Sequence, residues 1–192
     1  HFFDNHLPRI ILGRVAGATD LGHFVFAKRL LEMTANTLLS PVKEVSMPVF
    51  ARVQNNLEEA RRVYCDGSRL TATAVFPAFA GIALTAPLLV PLAVGKSWIA
   101  AVPLIALFAL NAYRKSFNIW NSALLRGLGK PEWLLAADIW RTVGTIALIF
   151  LLLPHGSIGV CLAVVIGTFV SWPLAMRYVA RLTGLSAGVQ LR

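Results

Sequence analysis

The chain has 192 residues, of which 57% are hydrophobic and only 14% charged, where an ordinary soluble domain carries about 25% charge. With a mean hydropathy of +0.67, this composition excludes a soluble globular enzyme and points to an integral membrane protein. The formal charge of +9 does not indicate a nucleic-acid partner, because the basic residues lie in short segments between apolar runs and never form a continuous solvated patch.

The first apolar segment, 2–18, starts without a preceding basic region and does not read as a signal peptide. The chain is therefore expected to be the C-terminal part of a longer protein. A turn is expected at residues 17–22, where Gly17 and Gly22 flank a polar Thr19-Asp20 pair. Segment 23–50 follows with helical periodicity, and Lys28, Glu32, Asn36, Ser40 and Glu44 recur at i, i+4, which predicts a polar stripe on one face. Phe26, Leu30, Thr37 and Val45 lie opposite. Two explanations fit the stripe: a surface amphipathic helix, or a membrane span whose polar face lines an internal cavity.

Residues 51–69, rich in Arg, Glu and Asn, read as a cytoplasmic connection, helical and lying along the membrane interface. Four apolar segments come next, at about 70–94, 98–125, 132–153 and 158–180, each of a length that spans a bilayer. Pro and Gly mark the breaks between the later ones, and the breaks are short, so neighbouring helices run antiparallel. Pro77, Pro87 and Pro91 are expected to kink the span that contains them. The fold expected is an all-α polytopic bundle of about six spans. Arg52, Arg61, Arg62, Arg69, Arg126, Lys130, Arg177, Arg181 and Arg192 gather on one side and Lys96 alone lies in the loops of the other. By the positive-inside rule, both ends of the segment face the cytoplasm.

The long apolar stretch after Ser97 is interrupted once, by the adjacent cations Arg114 and Lys115. Each costs a few kcal/mol at the centre of a membrane helix, so the pair must face protein, water or an anion. At about 1.5 Å per residue, Arg114 lies roughly 24 Å from Trp98, in the cytoplasmic half. Snorkelling toward the headgroups is one account of that position. A cavity is the other, and Asn111 and Asn118, with Ser122, share the helical spacing of the cations; a lipid-facing amide gains nothing from snorkelling. On the next span Asp138 and Arg141 form an i, i+3 pair, readable as a structural salt bridge or as part of a coupling network.

Enzymatic signatures are missing: the sequence has no nucleophile elbow, Walker loop or His-Glu-x-x-His. Cys65, Cys161 and the four histidines have no ligand-like spacing. No metal, cofactor or catalytic residue is expected.

Gly13, Arg14, Gly17, Ala18, Leu21, Gly22, Phe24, Ala27, Arg29 and Leu30 resemble, in order and spacing, a segment of bacterial polysaccharide flippases of the multidrug/oligosaccharidyl-lipid/polysaccharide exporter superfamily. Further matches follow in the same order: Pro48, Phe50, Arg52 and Gln54; Phe76, Pro77 and Gly81; Gly95, Trp98, Ala101 and Pro103; Leu125, Gly127, Gly129 and Pro131; Leu153, Pro154, Gly156 and Gly159. The chain departs from the family where an aspartate is frequent five residues before Gly13; Pro8 stands there, with Asp4 further upstream.

The resemblance implies the second six-helix lobe of a twelve-helix transporter in the bacterial inner membrane. It implies movement of an undecaprenyl-diphosphate-linked oligosaccharide between leaflets by alternating access, with the N-terminal lobe, membrane lipid and polysaccharide polymerase machinery as partners. On that reading Arg114, Lys115, Asn111 and Asn118 line the substrate cavity. Lys28, Glu32, Asp138 and Arg141 take part in gating or ion coupling. The rivals are a drug/cation antiporter of the same superfamily, a membrane-embedded transferase or polymerase, and a non-functional truncated remnant.

Overall fold

The computed structural model describes residues 2–129 and 131–183, with the side chains of 2–7, 171, 174, 175 and 181–183 left out. Lys130, Arg192 and the side chains of Asp4 and Arg181, invoked above, lie outside the described residues. Six α-helices follow in order: α1 (Phe2–Val15), α2 (Gly17–Arg52), α3 (Leu57–Ala93), α4 (Val102–Gly127), α5 (Pro131–Leu152) and α6 (Gly156–Thr183). Short 3-10 segments, Lys96–Ala101 and Leu153–His155, join α3 to α4 and α5 to α6. No strand occurs among the described residues, and the expected all-α architecture is the one observed.

The outer face of α3 shows why this bundle belongs in a membrane. Leu70, Leu84, Leu88 and Leu92 are each more than 70% exposed. They extend over about 33 Å at 1.5 Å per residue, the thickness of a hydrocarbon core of about 30 Å. Large apolar side chains are also exposed on α5 (Ile139, Trp140, Phe150, Leu151) and at Val170 on α6. In water such a surface would aggregate; in a bilayer it costs nothing. Three stretches among the described residues, Leu57–Ala93, Lys96–Gly127 and Pro131–Val170, are long and apolar enough to cross a membrane. The last contains the turn at Leu153–His155 and so comprises α5 and much of α6. The helix α2 is 36 residues long but is not among these stretches.

Two boundaries differ from the sequence expectation. The break after α1 is confined to Ala16, and residues 17–22 are already helical. Gly17 alone takes the left-handed conformation the break needs, with φ +86°. The second difference is at residues 57–69, which do not form a separate interfacial helix. They are the first turns of α3, started by Asn56, whose side-chain Oδ1 accepts the Glu59 amide at 3.2 Å as an N-cap.

Those turns are fixed to α4. Tyr64 is buried and its hydroxyl donates to Asn121 Oδ1 at 2.7 Å, while Trp120 Nε1 donates to Thr71 Oγ1 at 2.9 Å. The Trp120 ring lies directly on Gly67, where a Cβ would come within 2.5 Å of three ring carbons. Phe50, Leu124 and Val179 complete this end of the core. At the other end Phe24, Leu31, Phe79, Leu104, Ile105, Ile149 and Val160 form a larger cluster. Across both, α4 is the central helix, packed on α2, α3 and α6, with α5 docked chiefly on α6 and α1 on α2.

Candidate functional site

A cavity of about 760 Å³ opens among α2, α4, α5 and α6, within the usual size range for small-molecule sites. It runs along α4 from Phe108 to Arg126 and along α2 from Lys28 to Met47, a length of about 27 Å at 1.5 Å per residue. Its floor is Phe108, set edge-to-face on Phe24 with ring centroids 5.2 Å apart. Beyond the floor, His23 and Phe26 pack on Trp98, and His23 Nε2 lies 3.2 Å from the Ser97 carbonyl oxygen. Apolar and aromatic packing thus seals one end. The other end carries Met47, Arg126, Trp133 and Tyr178, the last two in ring contact at 5.1 Å.

Every sequence-predicted site residue lines this cavity: Lys28, Glu32, Asn111, Arg114, Lys115, Asn118, Asp138 and Arg141. Arg114 is 6% exposed, so it does not reach along a lipid-facing surface. Its Nε has no hydrogen-bond partner, and the charges of Asp138 and Arg141 lie within electrostatic range of it. A buried polar atom left unsatisfied in a native fold is uncommon and marks a place that a ligand or water can complete. Lys115, one residue on and so turned by about 100°, lines the same cavity from an exposed position. Asn111 is held more firmly, with its Oδ1 2.8 Å from the Thr168 hydroxyl of α6, which also lies 2.6 Å from the Val165 carbonyl.

The two carboxylates of the lining are both engaged. Glu32 lies 3.7 Å from the buried Lys28 ammonium, and Asp138 accepts from Arg141 Nη2 at 3.2 Å. Against them stand six cations, Lys28, Lys43, Arg114, Lys115, Arg126 and Arg141. The described lining therefore has a clear excess of positive charge. Walls of low dielectric concentrate that field on whatever enters. Amide and hydroxyl groups of Asn36, Asn118, Ser46 and Ser122 add uncharged hydrogen-bonding capacity suited to hydroxylated ligands. Among the described residues no group of three or more His, Cys, Asp or Glu side chains could hold a metal ion.

The polar stripe of α2 enters the cavity only in part. Lys28, Glu32 and Asn36 line it, whereas Ser40 and Glu44 are exposed and do not. A spacing of four advances 400° on a helix of 3.6 residues per turn, so each step drifts by about 40°. By Ser40 the ladder has turned about 120° away. The positions that stay on the cavity face are Leu39, Lys43, Ser46 and Met47, which follow the true helical period and could have been found by it. Trp133, Thr168 and Tyr178 also line the cavity; they lie on α5 and α6, and only tertiary packing brings them there.

Fold and site together define a multi-pass α-helical membrane protein with a cationic interior cavity. The chain belongs to the family described as polysaccharide biosynthesis protein, which matches residues 1–103. Among curated proteins it is similar to the teichuronic acid biosynthesis protein TuaB of Bacillus subtilis, with 22% identity over 127 residues, covering 66% of this chain and 26% of TuaB. It is also similar to the lipopolysaccharide biosynthesis protein WzxC of Escherichia coli, with 23% identity over 167 residues, covering 87% of this chain and 32% of WzxC. The chain thus spans about a third or less of the length of these relatives. No solved structure matches it significantly.

Proposed function

We propose that the protein moves a diphosphate-linked lipid oligosaccharide across the bacterial inner membrane, for assembly of a surface polysaccharide. In this reading the chain is one lobe of the transporter, with its open cavity end toward the cytoplasm. The observation that carries the proposal is the charge of the cavity: six cations against two carboxylates that are already paired. A diphosphate in a low-dielectric vestibule is attracted strongly by such a lining, and guanidinium groups match phosphate oxygens geometrically. The family match and relatives named for teichuronic acid and lipopolysaccharide biosynthesis support a polysaccharide precursor as cargo.

Arg114 and Lys115 would meet the diphosphate, with Asn111 and Asn118 beside them. Lys28–Glu32 on α2 and Asp138–Arg141 on α5 stand on different walls, and exchange of partners between these pairs would couple ion movement to opening of the Phe24–Phe108 floor. A drug/cation antiporter would need carboxylates available to a cationic ligand, and both described carboxylates of the cavity have cationic neighbours. The test is transport by the complete protein in proteoliposomes. The expected result is movement of a fluorescent undecaprenyl-diphosphate glycan between leaflets and none of a lipophilic cation. Transport of the cation alone would replace this reading with the antiporter.

A further inference from the structure

On the flank of the bundle, α5 and α6 enclose a second cavity of about 300 Å³, lined by apolar side chains, glycines and the single charged residue Arg141. Trp140, Val143 and Leu148 of α5 and Val170 of α6 form its walls. Its shape comes from two glycines of opposite kind. At Gly167 the helices meet, because a Cβ there would lie 2.1 Å from Thr145 Oγ1. At Gly144 nothing lies within 4 Å of where a Cβ would stand, so the slot is open just beside the point of closest approach. Arg141 lines both this slot and the main cavity, so its side chain stands where the two adjoin.

We propose that this slot takes the isoprenoid chain of the lipid-linked substrate while its diphosphate, held by Arg114 and Lys115, lies beside Arg141. The inference rests on the transport reading above for the identity of the head group. Arg141 lies about 15 Å along α5 from Pro131, near mid-membrane, so a diphosphate held there needs a sideways exit for its hydrocarbon chain. The slot is that exit: apolar along its walls, cationic only where it adjoins the main cavity, and flanked by Trp140, Val143 and Val170, which are all more than half exposed. It holds about twice the roughly 150 Å³ of an apolar cavity that takes up benzene, space for about two five-carbon isoprene units.

The test uses the complete protein in membranes and a sugar-free polyprenyl diphosphate with a photoreactive group in its second isoprene unit. A phospholipid bearing the same group in an acyl chain is the comparison. The diphosphate probe is expected to label α5 and α6 around Val143 and Val170, at least tenfold more than the phospholipid does. Gly144→Leu fills the slot and should reduce that labelling at least tenfold. Gly144→Ala, which adds one methyl into open space, should give an intermediate reduction at unchanged membrane level. Labelling unaffected by both substitutions, or equal labelling by the phospholipid, overturns the proposal. Labelling as predicted in a protein that transports no glycan retains the slot and removes the transport reading; transport with no labelling at the slot does the reverse.

Discussion

Gly67→Ala is expected to be among the more damaging single-methyl additions in this chain. The new Cβ would lie 2.2, 2.4 and 2.5 Å from Cη2, Cζ2 and Cζ3 of Trp120, where carbon atoms normally rest about 3.5–4.0 Å apart. The ring must therefore move by more than 1 Å, or α3 must separate from α4. Either movement stretches the 2.9 Å hydrogen bond from Trp120 Nε1 to Thr71. Overpacking of this kind costs about 1–3 kcal/mol, and an indole donor left buried without a partner adds about 1–3 kcal/mol. The expected loss is thus about 2–6 kcal/mol. Gly81→Ala, in the same helix, meets nothing within 4 Å and should gain up to about 1 kcal/mol from helix propensity. Thermal unfolding of the purified protein in detergent distinguishes the two: the first variant should melt at least roughly 4 °C lower, the second no lower than wild type. Equal midpoints for the two variants would refute the argument that contact with Trp120, and not helix propensity, decides the outcome.

Gly167→Ala should cost about 1–3 kcal/mol by forcing α5 from α6, and the loss should shrink in a Thr145→Ala background, since the nearest atom is the Thr145 hydroxyl oxygen; a double-mutant cycle by thermal unfolding measures the coupling. Tyr64→Phe removes the donor to Asn121 Oδ1 and should lower stability by about 1–2 kcal/mol while leaving transport kinetics intact, which unfolding and flipping assays on one preparation check. Raising the salt concentration from about 0.1 to 1 M shortens the Debye length from roughly 10 to 3 Å. It should weaken binding of a diphosphate probe in wild type more than in Lys115→Gln, because Lys115 is the exposed member of the cation pair; titration at two ionic strengths reads the difference.

The parts of this structure that were legible in the sequence are those in which one helix carries the whole signal. Asn111, Arg114, Lys115, Asn118 and Ser122 follow helical spacing inside an apolar run, and all five line the cavity. The apolar run 70–94 likewise marks a membrane-length part of α3. The lower half of the α2 stripe was misread because a repeat of four resembles a helical face over two turns and leaves it over four. The start of α3 was misread because polar residues there suggested water or headgroups, whereas Tyr64, Ser68 and Thr71 are buried, and Tyr64 and Thr71 are tied by hydrogen bonds to α4. The slot between α5 and α6 left no local trace: Gly144 and Gly167 are unremarkable apart, and only the packing of Thr145 on Gly167 gives them opposite roles.

The central claim is that the cations of the cavity, Arg114 and Lys115, hold the diphosphate of the transported lipid. The direct measurement is flipping of a fluorescent undecaprenyl-diphosphate glycan by the complete protein with Arg114→Gln and Lys115→Gln combined. Each lost charge-assisted hydrogen bond is worth about 1.5–3 kcal/mol, so the rate at subsaturating substrate should fall at least tenfold at unchanged membrane level. Flipping at the wild-type rate with both charges removed would contradict the account.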